Sequence, residues 1–83
     1  MVSQKVNILD ENGLHMRPAK DFSQIAVGYK SKIQIKYKNG EYNAKSLISM
    51  LGAGIKTGSQ IEIICEGEDE RDALSALVSY LEK

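Results

Sequence analysis

His15, Arg17 and Pro18 fall within four positions, in the stretch Asn12-Gly13-Leu14-His15-Met16-Arg17-Pro18-Ala19, and they include the sequence's one histidine and one proline. Gly13 suits a turn, and Pro18 is pre-set for the first turn of a helix and excluded from its interior. The residues after Pro18 have helical spacing, so His15 is expected at or just before a helix N-terminus. Such an end offers unpaired backbone N–H groups and a partial positive charge, which favour anions such as phosphate. An imidazole, a guanidinium two residues on and an anion-friendly helix end together point to phosphoryl handling. A helix dipole and Arg17 would both disfavour the imidazolium, keeping the ring neutral and nucleophilic near pH 7. The same groups would stabilise a dianionic phosphoryl product through charge-assisted hydrogen bonds.

Other chemistry fits less well. A metal site needs about three or four ligands, and the chain has one histidine and one cysteine; no metal and no cofactor are expected. Cys65 alternates with Ile61 and Ile63, which places it in a buried, inert position and weakens a Cys–His dyad. Direct attack by neutral imidazole on phosphorus is the chemistry that remains.

The elements that must position these residues read as follows. Val6 and Ile8 alternate with Lys5 and Asn7, a first strand ending near Leu9, and Asp10 to Gly13 is a polar turn. From Pro18, Ala19, Phe22, Ile25 and Ala26 form the stripe of an amphipathic helix, with Gly28 suited to a left-handed cap. Ile33, Ile35 and Tyr37 alternate with Lys32, Gln34, Lys36 and Lys38 in a half-buried strand. Asn39-Gly40 signals a hairpin with positive φ at both turn positions, returning through a short strand over Glu41–Asn43. Ser46 is placed to cap a short helix over Leu47–Leu51, ended by Gly52 and Gly54. Gln60–Glu66 alternates except at Ile64, the mark of a central strand covered in part on both faces. Asp69 is placed to cap a last helix with Leu74, Leu77, Val78 and Leu81 as its stripe. The order β-α-β-β-α-β-α predicts an α+β fold: a four-stranded antiparallel sheet carrying three helices on one face, its lysine-rich face left wet. The pattern alone also admits other split β-α-β folds.

Eighty-three residues make one domain, 1–83, with 42% apolar residues and no apolar run long enough to span a membrane. The first residues lack the apolar core of a signal peptide, and one cysteine fits a reducing cytoplasm, so a cytoplasmic protein without membrane insertion is expected. Charge is balanced but asymmetric. Residues 1–38 carry seven basic against three acidic side chains, and residues 39–83 carry four against eight. Such asymmetry can steer a docking partner. It falls short of the basic footprint of a nucleic-acid binder, although Tyr37 and Tyr42 sit on strands.

The segment Gly13-Leu14-His15-Met16-Arg17-Pro18-Ala19 resembles the active-site segment of HPr, the histidine-containing phosphocarrier of the bacterial sugar phosphotransferase system. The likeness extends through Asn43-Ala44-Lys45-Ser46-Leu47 and Gly67-Glu68-Asp69-Glu70. It implies an open-faced β-sandwich and a monomeric phosphocarrier, which holds a transient phosphohistidine and is not itself an enzyme. His15 would accept phosphoryl on Nδ1 from phosphoenolpyruvate by way of enzyme I and pass it to enzyme IIA domains. Arg17 would be the electrostatic partner, with backbone N–H groups of Met16 and Arg17 as donors. The resemblance also implies regulatory phosphorylation of Ser46 by an HPr kinase/phosphorylase, binding to a catabolite repressor, and a docking patch of Met16, Leu47, Ile48 and Leu51. Met16, Asn12, Lys20, Ser49 and Gly52-Ala53-Gly54 depart from the commonest family sequences. The alternative within the same resemblance is an HPr-like regulatory protein that acts by docking, without a sugar-transport role.

Overall fold

Alternation of apolar and polar residues builds the sheet. The computed structural model describes residues 1–9 and 16–82, with Met16 described in its backbone alone. His15, Asn12 and the expected turn over 10–13 therefore lie outside the described residues. The order is β1 (Val2–Asn7), α1 (Met16–Val27), β2 (Lys32–Tyr37), β3 (Gly40–Asn43), α2 (Leu47–Gly52), β4 (Gln60–Glu66) and α3 (Glu70–Leu81). The strands lie in the order β1-β4-β2-β3, all pairings antiparallel. This is the expected open-faced α+β sandwich.

Register follows burial. Ile61, Ile63 and Cys65 of central β4 face the helices and pair with Val6, Gln4 and Val2 on one side, while Ile63 and Cys65 pair with Ile35 and Ile33 on the other. Against them pack Ala19, Phe22 and Ala26 of α1 and Ala73, Leu77 and Val78 of α3, all buried. A fully buried Phe or Ile contributes ~1.5–3 kcal/mol by leaving water. A one-residue slip would turn this set to solvent, so the register is strongly specified. The other sheet face carries a row of alternating charge across all four strands, because Lys5 opposes Glu62, Glu62 opposes Lys36 and Lys36 opposes Glu41. Opposite charges at facing positions favour this register further.

Three local expectations are corrected. The hairpin turns at Lys38-Asn39, with Tyr37 opposite Gly40, and of these turn residues only Lys38 has positive φ, at 56°. Gly40 is instead the first residue of β3, where a Cβ would come 2.7 Å from the Tyr42 hydroxyl; the glycine makes room for that ring on the helix-side face. Gly28 is not left-handed; its N–H reaches the Ile25 carbonyl in a tight final turn. Asp69 stands at the N-cap of α3, but its side chain makes no capping hydrogen bond. Its carboxylate is committed across the fold to the amides of Lys30 and Ser31 and to the Ser31 hydroxyl.

Candidate functional site

Helix α1 begins directly after His15 in the chain. Pro18 is its third residue, where the missing N–H has no intrahelical acceptor to lose. One stripe of α1 packs on the sheet; the opposite stripe, Arg17, Lys20, Gln24 and Val27, is exposed. Asp21 lies to the side, accepting a 3.2 Å hydrogen bond from the Tyr80 hydroxyl that ties α1 to α3. The outward stripe therefore holds two cations and no acid.

Helix α2 packs beside α1. Ser46 has extended backbone geometry (φ −107°, ψ 113°), and its Oγ accepts from the Ser49 amide at 3.2 Å, as the sequence predicts for an N-cap. Ser49 Oγ accepts from the Asn43 amide at 3.1 Å, and Asn43 Oδ1 accepts from the Lys45 amide at 3.0 Å. Ser46 is thus held in a small polar net that fixes the start of α2, and it is only half-buried.

Met50 roots α2 in the core at 0% exposure, whereas Ile48 points outward at 85%. Leu47 and Leu51 are half-buried and pack against the core's edge. Of the four expected docking residues, the structure brings Leu47, Ile48 and Leu51 onto one helix, Ile48 outermost; Met16 starts α1, its side chain outside the description. Between the helices runs an open groove of about 300 Å³ lined by Lys20, Ser23, Gln24, Val27 and Leu47. Leu47 and Val27 form its apolar part, with Lys20 and Gln24 at its polar part.

Arg17 is exposed in the first turn of α1. Its geometry relative to His15 lies outside the described residues, as does any cradle of amides around that ring.

Sequence reasoning missed Val27, 62% exposed beside Leu47. It falls seven residues after Lys20 and off the buried stripe, and an apolar residue off the stripe was the available signal. Also missed was Lys45, whose ammonium donates to the Tyr29 carbonyl at 2.7 Å.

Cys65 is fully buried, and its thiol is pushed up to about 11, first by burial and then by the carboxylates of Glu70 and Asp69. It stays protonated at neutral pH and supplies no nucleophile. Among the described residues, no three of His, Cys, Asp or Glu gather where a metal ion could bind.

Residues 2–83 match the family model described as the PTS HPr component phosphorylation site. The chain belongs to the HPr family. Within that family it is 39% identical over its whole length to the HPr-like protein Crh of Halalkalibacterium halodurans, covering 99% of that protein. Its fold overlays an HPr crystal structure from Thermoanaerobacter tengcongensis with TM-score 0.96 at 35% identity, over 99% of this chain and 92% of that one. It also overlays Crh of Bacillus subtilis with TM-score 0.79 at 35% identity, over 99% and 94%; that structure is described as a dimer with a swapped domain. HPr proteins are phosphocarriers rather than enzymes in the usual sense, and Crh is a regulatory relative.

Proposed function

We propose that this chain is an HPr-like regulatory protein, acting by protein–protein docking through the α1–α2 face without a role in sugar transport. Ser46 is its regulatory phosphorylation site. The observation that carries this reading is the continuity of Ser46 with Leu47 and the outward Ile48, which puts a modifiable hydroxyl at the edge of an exposed apolar surface. A phosphoryl group adds about −1.5 to −2 charge and three acceptor oxygens. It would repel an acidic partner and create a surface for a catabolite repressor. The kinship to Crh supports the same reading. The partners it implies are an HPr kinase/phosphorylase and a catabolite repressor, met in the cytoplasm by one domain, 1–83, acting as a monomer. Incubation with the kinase and ATP tests it: the chain gains one phosphate, lost in Ser46→Ala, and only the phosphorylated form is retained by the repressor. Failure of both steps overturns it.

A second reading is favoured by His15 preceding α1 at fixed spacing from the exposed Arg17. Here the chain is a phosphocarrier. The neutral imidazole of His15 attacks the phosphorus carried by enzyme I, the bond to the enzyme I donor atom breaks, and Arg17 offsets the charge arriving on the ring. The group then leaves to an enzyme IIA domain. Mixing with enzyme I and phosphoenolpyruvate separates the readings: a carrier gains one acid-labile, base-stable phosphate, absent in His15→Ala, and relays it to enzyme IIA.

A further inference from the structure

Two lysines bear on Ser46, and their surroundings differ: Lys45 is its neighbour in the chain, and Lys20 shares a groove with the next residue, Leu47. Lys45 precedes it in the chain, is half-buried, and spends its ammonium on the Tyr29 carbonyl at 2.7 Å. Lys20 comes from α1, is exposed, and lines the groove together with Leu47, the residue after Ser46. The ion pairs among the described residues join the N-terminus to Glu70 and Lys30 to Glu68; Lys20 takes part in neither.

We propose that Lys20 is the intramolecular counter-ion of a phosphoryl group on Ser46, and that this pairing draws the α1–α2 groove shut. The inference rests on Ser46 being the regulatory site. In that modification Ser46 Oγ bonds to the γ-phosphorus of ATP, the bond from that phosphorus to the ADP oxygen breaks, and the hydroxyl proton leaves to solvent. The new dianion has two candidate cations, Lys45 before it in the chain and Lys20 on the groove that Leu47 also lines. Lys45 is tethered by its bond to the partly buried Tyr29 carbonyl, so its ammonium can follow the phosphate only by giving that bond up and leaving the carbonyl unpaired. Lys20, exposed, takes part in no ion pair among the described residues.

The remaining charged group on the outward stripe of α1 is Arg17, about one turn nearer the helix start. Asp21 is turned aside to Tyr80, and α2 carries no charged side chain. To reach the phosphate, the four-carbon stem of Lys20 must cross the groove and lie over Leu47, as lysine stems commonly cover apolar surface. Phosphorylation then does two things at once. It adds charge at Ser46, and it masks the groove while leaving Ile48 exposed, so the two states offer partners different apolar surfaces.

The test uses full-length chain carrying phosphoserine inserted at position 46 during synthesis, so that neither kinase nor repressor is involved. The phosphate is titrated by phosphorus NMR in the wild-type background, in Lys20→Ala and in Lys45→Gln. The expected result is a second phosphate ionisation about half a pH unit higher in Lys20→Ala than in the wild-type background, and unchanged in Lys45→Gln. The Leu47 methyl resonances should move further on phosphorylation in the wild-type background than in Lys20→Ala, where only the phosphate's own effect on its chain neighbour remains. Coincident titrations for Lys20→Ala and the wild-type background, or a shift that follows Lys45→Gln or Arg17→Ala instead, overturn the proposal. Absence of kinase action or repressor binding would remove the regulatory reading and leave this ion-pair result standing.

Discussion

Asp69 and Ser31, 38 positions apart, meet at one carboxylate oxygen: Asp69 Oδ1 accepts both the Ser31 amide, at 2.9 Å, and the Ser31 hydroxyl. Its other oxygen accepts the Lys30 amide at 2.8 Å. The clasp ties the turn after α1 to the start of α3, and through the Lys45 bond to Tyr29 that turn is also held from the α2 side. Close approach here is possible because residue 67 is glycine: a Cβ there would come 2.7 Å from the Ser31 Cα, and its φ of 153° disfavours any side chain.

The clasp predicts an acid-sensitive contribution to stability. The Ser31 hydroxyl first, then the Lys30 amide, hold the Asp69 carboxyl well below the usual carboxylate range, at about 2. A depressed carboxyl stabilises the fold above its unfolded value, roughly 3.9, and loses that effect as pH falls toward the folded value. Asp69→Asn should therefore melt below wild type at neutral pH, with the gap closing between about pH 4 and pH 2. Thermal melts followed by circular dichroism across that range measure it.

Cys65 should resist thiol reagents while the chain is folded, since burial and two nearby carboxylates hold its pKa at about 11. Reaction with a chromogenic disulfide at mildly alkaline pH should be negligible in buffer and complete in denaturant. Prompt reaction of the native chain would show a thiol open to solvent.

Substitutions at Ile63 and Ile48 should separate folding from docking. Ile63 is 0% exposed at the centre of β4, so Ile63→Ala should cost ~2–5 kcal/mol in urea unfolding. Ile48→Asp should change stability by no more than about 0.5 kcal/mol. Its effect is expected in partner binding.

Ser46→Ala removes the cap to the Ser49 amide and should lower stability by ~0.5–2 kcal/mol. Ser46→Asp keeps an acceptor at the cap and should recover most of that loss. Parallel denaturation of the three proteins decides whether the polar net at Ser46 is the support the geometry describes.

Much of this was legible in the sequence because the strands alternate cleanly and the helices carry three-and-four stripes. Ile33, Ile35, Phe22 and Leu77 are buried where periodicity places them, and Ile64 is half-covered on the central strand as its break in pattern implies. The misread positions are ones where a local signal yields to a distant contact. Asp69 looks like a helix cap, but Ser31 and Lys30 claim its carboxylate. Gly40 looks like a turn residue, but Tyr42 needs the space. On the docking face, Ile48 and Leu47 were visible as apolar residues of a short helix, and only the packing of Met50 decides which side of α2 faces out. The groove with Lys20 and Val27 arises from two helices some twenty residues apart in the chain, beyond what spacing within either one encodes.

Binding to the catabolite repressor, followed by calorimetry with Ser46 phosphorylated and unmodified, tests Ser46-controlled docking through the α1–α2 face most directly. The phosphorylated chain should bind at least about tenfold tighter, a difference of roughly 1.4 kcal/mol, and phosphorylated Ile48→Asp should lose that advantage. Equal affinity in the two states, or undiminished binding by phosphorylated Ile48→Asp, would contradict it.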